Sequence, residues 1–321
     1  MKIKEIKAKN LNTGKFIAEK VLEIQKAVGR GLAINALSGG VDSSVVTALG
    51  HRALGKQLQT YIIDNGIMRQ GEPAKVAAMF KKLGIHVEVI KAQKVFFDAL
   101  KGLTDPEEKR EAITQAFYKK VFGALVIKSK AKHLLQGTIL TDVDETAAGI
   151  KRQHNVFEQI GIDPQQAFGY KIIEPVIQLR KDGVRKLGRA MGLPESMFDR
   201  IPFPGPALAA RVIGEVTPAK IKLVRKATVI TEAVLANTPA FQYMAILHED
   251  RVTGMRDGKR IFGCQIEIRC WDSIDARTAS PTRLPFETLE KIAGRIIEEI
   301  PEVVSVTYNI ATKPPSTIEA I

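Results

Sequence analysis

The stretch Leu37-Ser38-Gly39-Gly40-Val41-Asp42-Ser43-Ser44 constrains this chain more than any other. It follows an apolar run at 32–36 that reads as a buried strand. The residues after it, Val45-Val46-Thr47-Ala48-Leu49, read as a helix. Strand, glycine turn and helix start together make an anion site, because the first amides of a helix point outward and its dipole favours negative charge. Two glycines let the backbone come close to a phosphate group. Ser38, Ser43 and Ser44 add hydroxyl donors. No Gly-Lys-Ser/Thr ending follows, so the loop is not of the kind that closes on a lysine.

Such a unit needs neighbouring strands. Runs at 58–63, 86–90 and 133–137 supply candidates, and helical spacing appears at 16–28 and 73–83. Asp105-Pro106-Glu107-Glu108 opens a long helix expected to run towards Lys130, with Asp105 as N-cap and Pro106 at the first helical position. Strands alternating with helices imply an α/β fold, a parallel sheet with helices on both faces. Ligands of such sheets sit at the carboxyl ends of strands, where Ser38, Asp64 and Gly137 all fall.

The pattern changes near residue 200. Pro202-Phe203-Pro204-Gly205-Pro206 excludes helix and reads as a stiff linker. Beyond it come a helix at 218–235, strands at 241–247 and 261–270, a helix at 286–300 and a strand at 303–310, a small α+β module. From 262 to 270, Phe262, Cys264, Ile266, Ile268 and Cys270 alternate with Gly263, Gln265, Glu267 and Arg269, as in a half-buried strand. Domains are therefore expected at 1–200 and 201–321.

With 26% charged and 45% hydrophobic residues, the 321-residue chain has the balance of a folded soluble protein. No apolar run reaches the roughly 18–20 residues that span a bilayer, and the amino terminus has no apolar signal core. Cys264 and Cys270 form neither a disulfide framework nor a four-ligand zinc site, and read as packing residues. A cytoplasmic protein with reduced thiols is expected. The net charge of +13 admits a nucleic-acid partner, but the basic residues are dispersed, and an enzyme handling polyanionic nucleotides is favoured.

Five segments carry a family resemblance. They are the loop at 37–44, Asn65-Gly66-Ile67-Met68-Arg69-Gln70-Gly71-Glu72, the stretch from Gln136-Gly137-Thr138-Ile139 through Asp142, Glu145, Lys151 and His154, the linker from Arg200 to Glu215, and Thr312-Lys313-Pro314-Pro315 with Thr317-Ile318-Glu319. On these the chain resembles the ATP-pyrophosphatase part of the GMP synthetase family, over nearly its whole length. The resemblance implies an adenine nucleotide alpha hydrolase-like sheet and a small dimerisation domain. It implies a ligase that uses ATP and Mg²⁺ to adenylate the C2 oxygen of xanthosine monophosphate (XMP). Ammonia then displaces AMP to give GMP. Only 37 residues precede Ser38, so ammonia is expected from a separate glutaminase subunit or from solution.

The resemblance also assigns roles. Ser38, Ser43, Asp42 and Lys151 are the catalytic candidates. Ser38, Gly39, Gly40, Val41, Asp42, Ser43, Ser44, Asp64, Gly137 and Thr138 would hold ATP. Asp42 and Asp142 would bind metal, although Asp42 also reads as a helix-start acid, and Asp142 and Glu145 as residues holding a lid. Lys151 belongs to that lid, or is a solvated charge. Arg69, His154, Arg200, Arg256, Lys313, Thr317 and Glu319 would meet the purine nucleotide. His154 also reads as a local cap, and the tail as disordered.

The departures cluster away from the ATP loop. The lid reads Gln153-His154-Asn155-Val156-Phe157 where the family has His-His-Asn-Val-Gly. Arg256 replaces a family glutamine, Ile201 replaces a frequent His, Ser280-Pro281 replaces Asp-Trp, and the chain closes on Ala320-Ile321. Two rivals follow: a diverged pyrophosphatase acting on another nucleotide or metabolite, by amide or sulfur transfer, and a non-catalytic nucleotide- or RNA-binding relative.

Overall fold

The computed structural model describes residues 3–147, 170–198, 201–274 and 276–320. Two compact units emerge. The first is Met1–Asp64 with Glu72–Ala92 and Phe117–Arg200; the second is Asn65–Gly71 with Gln93–Ala116 and Ile201–Ile321.

The first unit is built on five parallel strands: β1 (Ala33–Ala36), β2 (Leu58–Asp64), β3 (Glu88–Lys91), β4 (His133–Leu135) and β5 (Lys171–Ile173), in the order β3-β2-β1-β4-β5. β1 pairs with β2 from Ala33↔Leu58 and with β4 from Ala33↔His133. Strand order therefore reverses at β1, which places a topological switch point between β1 and β4. Helices α2 (Val41–Leu54) and α3 (Glu72–Lys82) connect β1 to β2 and β2 to β3. The α/β reading thus holds. Strand β5 was not anticipated, since three residues carry no readable alternation.

The amphipathic α1 (Thr13–Val28) buries Phe16, Ile17, Ile24 and Val28. Asn12 caps it, accepting from the Lys15 amide at 3.0 Å. A buried polar chain ties β1 to α2: the Asn35 amide donates to Thr47 Oγ1 at 2.7 Å, and Thr47 Oγ1 donates to the Ser43 carbonyl at 2.8 Å.

Asp105 caps its helix as expected, accepting from the Glu107 and Glu108 amides at 2.9 and 3.0 Å. The single long helix does not form. Helix Pro106–Gln115 passes into a π-turn segment, Ala116–Phe122, and then helix Gly123–Ser129. The wider turn lets Ala116, Tyr118, Val121 and Phe122 all reach the interior.

In the second unit, strands β6 (Gln242–Arg256) and β7 (Lys259–Asp272) form a long antiparallel hairpin. Asp257 and Gly258 turn it, with φ of 51° and 69°. β8 (Ser280–Pro281) pairs antiparallel and β9 (Val303–Tyr308) parallel with β7. Helices Pro218–Val234 and Phe286–Glu299 complete the α+β unit. The expected alternation along β7 holds from Ile266 onward. Phe262 is 59% exposed and Cys264 half-buried, because the pairing with β9 slips at Cys264 and Gln265. No helix among the described residues is long and apolar enough to cross a membrane.

Candidate active site

The loop leaving β1 is held by its own hydroxyls. The Leu37 amide extends the β1–β2 pairing by donating to the Tyr61 carbonyl at 2.7 Å. Gly39 has φ of 81°, a conformation an L side chain resists. Ser38 Oγ accepts from the Gly40 amide at 3.2 Å and lies 2.8 Å from Ser43 Oγ. Ser43 Oγ accepts from the Ser38 amide at 3.2 Å and donates to the Gly40 carbonyl at 3.1 Å. Gly40 is the N-cap of α2 and has no side chain to satisfy the first amides, so the helix end stays open to an anion. Val41 opens α2 and is buried.

The loop after β4 closes against this end. A Cβ on Gly137 would lie 3.0 Å from the Ser43 nitrogen and 3.1 Å from the Asp42 carbonyl carbon. Such contacts are tighter than nearly all real Cβ contacts, so a side chain there would need the backbone of α2 to give by a few tenths of an ångström. Buried near these turns are three side-chain oxygens without a hydrogen-bond partner: Asp42 Oδ1, Ser44 Oγ and Thr138 Oγ1. Unpaired buried polar atoms are rare and costly, so these three, on turns at a switch point, are candidates for contact with a ligand.

Asp42 Oδ2 is paired with Lys181 Nζ at 2.6 Å. Sequence reading passed over Lys181. It opens helix Lys181–Ala190, 139 residues beyond Asp42, and only the run Arg180-Lys181-Asp182 hinted at a charged helix start. Its neighbour Arg180 bridges Glu5 at 3.2 Å and Asp144 at 2.7 Å. The hydrogen bond that Arg180 donates to Asp144, ahead of the charge of Glu5, holds its guanidinium above its ordinary pKa.

The other candidates fall as follows. Asp64 ends β2 and is half-buried. Asp142 Oδ2 accepts from the Ile139 amide at 3.0 Å, reaching back over the start of helix Leu140–Ala147 as in half of a capping box. Among the described residues, no cluster of three or more His, Cys, Asp or Glu is arranged for a metal. Lys151, His154 and Arg200 lie outside the described residues.

In the second unit, Arg69 donates from Nε to Glu232 at 2.8 Å. Its guanidinium lies 3.9 Å from the Phe203 ring centre, and that of Arg211 lies 4.7 Å from it. The proline segment thus presents one aromatic ring in reach of two cations. Arg211, fully buried, forks onto Glu319 at 3.3 Å from both Nε and Nη2. Gln242 donates to Glu319 Oε1 at 2.6 Å. The tail is ordered through this anchoring. Lys313 pairs with Ala279 through the backbone, and its Nζ donates to the Ala276 carbonyl at 2.8 Å. Thr317 Oγ1 donates to the Glu319 carbonyl at 2.6 Å.

Arg256 is not brought to this group. It ends β6, whereas Gln242 begins it; a strand of that length spans roughly 45 Å. Its guanidinium donates to the Pro301 and Ile297 carbonyls at 2.8 and 3.3 Å, where a cation complements the end of helix Phe286–Glu299.

Comparison with known proteins agrees with both units. Residues 12–147 match the family described as NAD synthase, and residues 230–320 match the GMP synthase C terminal domain. The B-subunit of a glutamine-hydrolyzing GMP synthase from Archaeoglobus fulgidus is 44% identical over 309 residues, 96% of this chain and 99% of that protein. Its counterpart from Pyrococcus horikoshii is 45% identical over 96% of this chain and 99% of its own length. That of Methanocella arvoryzae is 46% identical over 95% of this chain and 97% of its own. With a glycine turn and open helix start at the sheet's switch point and relatives of this similarity along the whole chain, the protein belongs to the B-subunit family of glutamine-hydrolyzing GMP synthases.

Proposed function

We propose that this chain is the ATP-dependent ligase half of a glutamine-hydrolyzing GMP synthase. The C2 oxygen of XMP attacks the α-phosphorus of ATP, and pyrophosphate leaves. Ammonia then attacks C2, AMP departs and GMP forms. Family membership supports the reaction. The observation carrying it on this chain is the open α2 N-terminus, flanked by three unpartnered buried oxygens. The amides of that turn suit the charge that gathers on departing pyrophosphate.

Residues 1–200 supply the pyrophosphatase domain in this reading, except that Asn65–Gly71 and Gln93–Ala116 group with the second unit. Ser38, Gly39, Gly40, Val41, Ser43 and Ser44 cradle the phosphates, with Asp64, Gly137 and Thr138 around the nucleotide. Lys151 approaches the phosphates from the lid. Asp42, with one oxygen unpartnered, fits a single hard-oxygen ligand for Mg²⁺, and Asp142 is a second carboxylate for it. Bound magnesium would neutralise charge on the phosphate oxygens.

Residues 201–321 dimerise and supply part of the purine-nucleotide contacts. Arg69, His154, Arg200, Lys313, Thr317 and Glu319 are the nucleotide contacts. Arg256 has its hydrogen bonds at a helix end, so its replacement of the family glutamine gives little ground for a different acceptor. Exposed Met255 and Phe262 lie diagonally on one face of the hairpin, an apolar pair suited to a second copy of the chain. The relatives are named as glutamine-hydrolyzing, and we place a separate glutaminase subunit as the source of ammonia, in the cytoplasm.

An assay with ATP, XMP, Mg²⁺ and ammonium tests this. Equimolar AMP, pyrophosphate and GMP are expected. Nucleotide binding with neither pyrophosphate nor GMP released would overturn it.

A further inference from the structure

The polar face of β7 finds no use in nucleotide chemistry, yet it meets the tail at three successive carbonyls. Arg269 Nη1 donates to the Thr317 carbonyl at 2.9 Å and the Glu319 carbonyl at 3.4 Å. Trp271 Nε1 donates to the intervening Ile318 carbonyl at 3.2 Å. Residues 267, 269 and 271 lie on one side of the strand. Glu267 holds Arg269 in place, accepting from its Nε at 2.6 Å, and His248 on β6 lies 2.7 Å from the other oxygen of Glu267. The side chains of Glu267 and Arg269 are each only 13% exposed. Burial alone would raise the Glu267 pKa; the hydrogen bonds from His248 and Arg269 overcome it and leave the group below its ordinary value.

A lone arginine at a strand surface has several rotamers. This one is fixed at both ends, by a carboxylate at Nε and by carbonyls at Nη1. The carbonyls belong to Thr317 and Glu319, two residues whose side chains the proposed reaction assigns to the purine nucleotide. The Glu319 carboxylate is itself fixed by Arg211 and Gln242. Backbone and side chain of this short segment are therefore oriented separately, and β7 sets the backbone.

We infer that Arg269, oriented by Glu267 and His248, is a positioning residue that sets the carboxyl-terminal segment for nucleotide contact. The inference rests on the reading that Thr317 and Glu319 meet the purine nucleotide. Lysine cannot replace the guanidinium, because one ammonium does not span Glu267 and two carbonyls in a planar fork.

Two measurements on Arg269→Gln, Arg269→Lys and Glu267→Gln test it: hydrogen exchange over residues 312–320, and steady-state kinetics with XMP and ATP varied separately. In Arg269→Gln, tail exchange should quicken about tenfold and the KM for XMP should rise about tenfold, while kcat and the KM for ATP stay within about twofold. Arg269→Lys should recover little of this, and Glu267→Gln should fall between. Faster exchange with an unchanged KM for XMP would overturn the positioning role and leave a structural clamp. Unchanged exchange in a folded Arg269→Gln would overturn the clamp as well. If Arg269→Gln does not fold, Glu267→Gln is held to the same two outcomes. A wild-type protein that turns over no XMP would defeat the proposed reaction instead, and exchange would still decide whether β7 holds the tail.

Discussion

Lys181 Nζ stands 2.6 Å from Asp42 Oδ2, a pairing across 139 residues of chain. It brings a cation to the first turn of α2, beside the amides of the phosphate-type turn. Both partners keep some exposure, 46% and 23%, so the pair adds little to stability, at most about 1 kcal/mol. In the proposed reaction it places charge where pyrophosphate would form.

Lys181→Met should therefore lower kcat/KM for ATP by about 10²-fold. The melting temperature should shift by no more than about 2 °C. Initial-rate kinetics beside differential scanning fluorimetry check this; a large loss of stability with intact kinetics would reverse the assignment.

Gly137 is the point where the second loop meets α2. A methyl group there would push on backbone atoms at 3.0 and 3.1 Å, which have no side-chain freedom to yield. Gly137→Ala should cost about 1–3 kcal/mol in urea unfolding. It should also weaken ATP binding measured by calorimetry.

Ser44 is fully buried with a hydroxyl that has no partner. Removing an unsatisfied group is nearly neutral in the empty protein, whereas losing a ligand hydrogen bond is not. Ser44→Ala should melt within about 2 °C of wild type without nucleotide, yet bind ATP roughly tenfold more weakly. Thermal shifts with and without ATP separate the two effects.

Arg211 is the reverse case, a buried cation whose carboxylate partner is in place. Arg211→Ala would strand Glu319 and open a hole beside Phe203. A loss of about 3 kcal/mol or more in denaturant unfolding is expected, together with release of the tail seen by hydrogen exchange.

The folded-state pKa of Glu267 lies below its ordinary value, so its ionised form stabilises the fold. That contribution is complete above the unfolded pKa, about 4.3, and is lost as pH falls from there through the lower folded value. Against Glu267→Gln, the stability difference should be constant near neutrality and shrink below about pH 4.3. Urea midpoints across the acid range measure it; a difference that grows with acidity would contradict the sign.

Much of the fold was legible where the forces are local. The Asp105 cap, the glycine turn at 39–40 and the first four strands of the sheet all depend on residues within a few positions of one another. Strand alternation and cap chemistry act over that distance, so pattern alone located them. The lid residues Lys151 and His154, and Arg200 beside the proline segment, were named from resemblance and lie outside the described residues.

What pattern could not supply is where distant side chains meet. The role of Arg256 turned on the register of a 15-residue strand that carries it to the end of helix Phe286–Glu299. The break at Ala116–Phe122 turned on which aromatic rings had to reach the interior at once. The pairing of Lys181 with Asp42, and the grip of Arg269 on the tail, exist only after packing has closed long loops. Short-range chemistry in the chain specified a glycine turn from strand to helix on a parallel sheet; the choice of which charges face that turn, and which hold the tail, came from long-range packing, because Coulombic and hydrogen-bond partners are selected by distance in space and not along the chain.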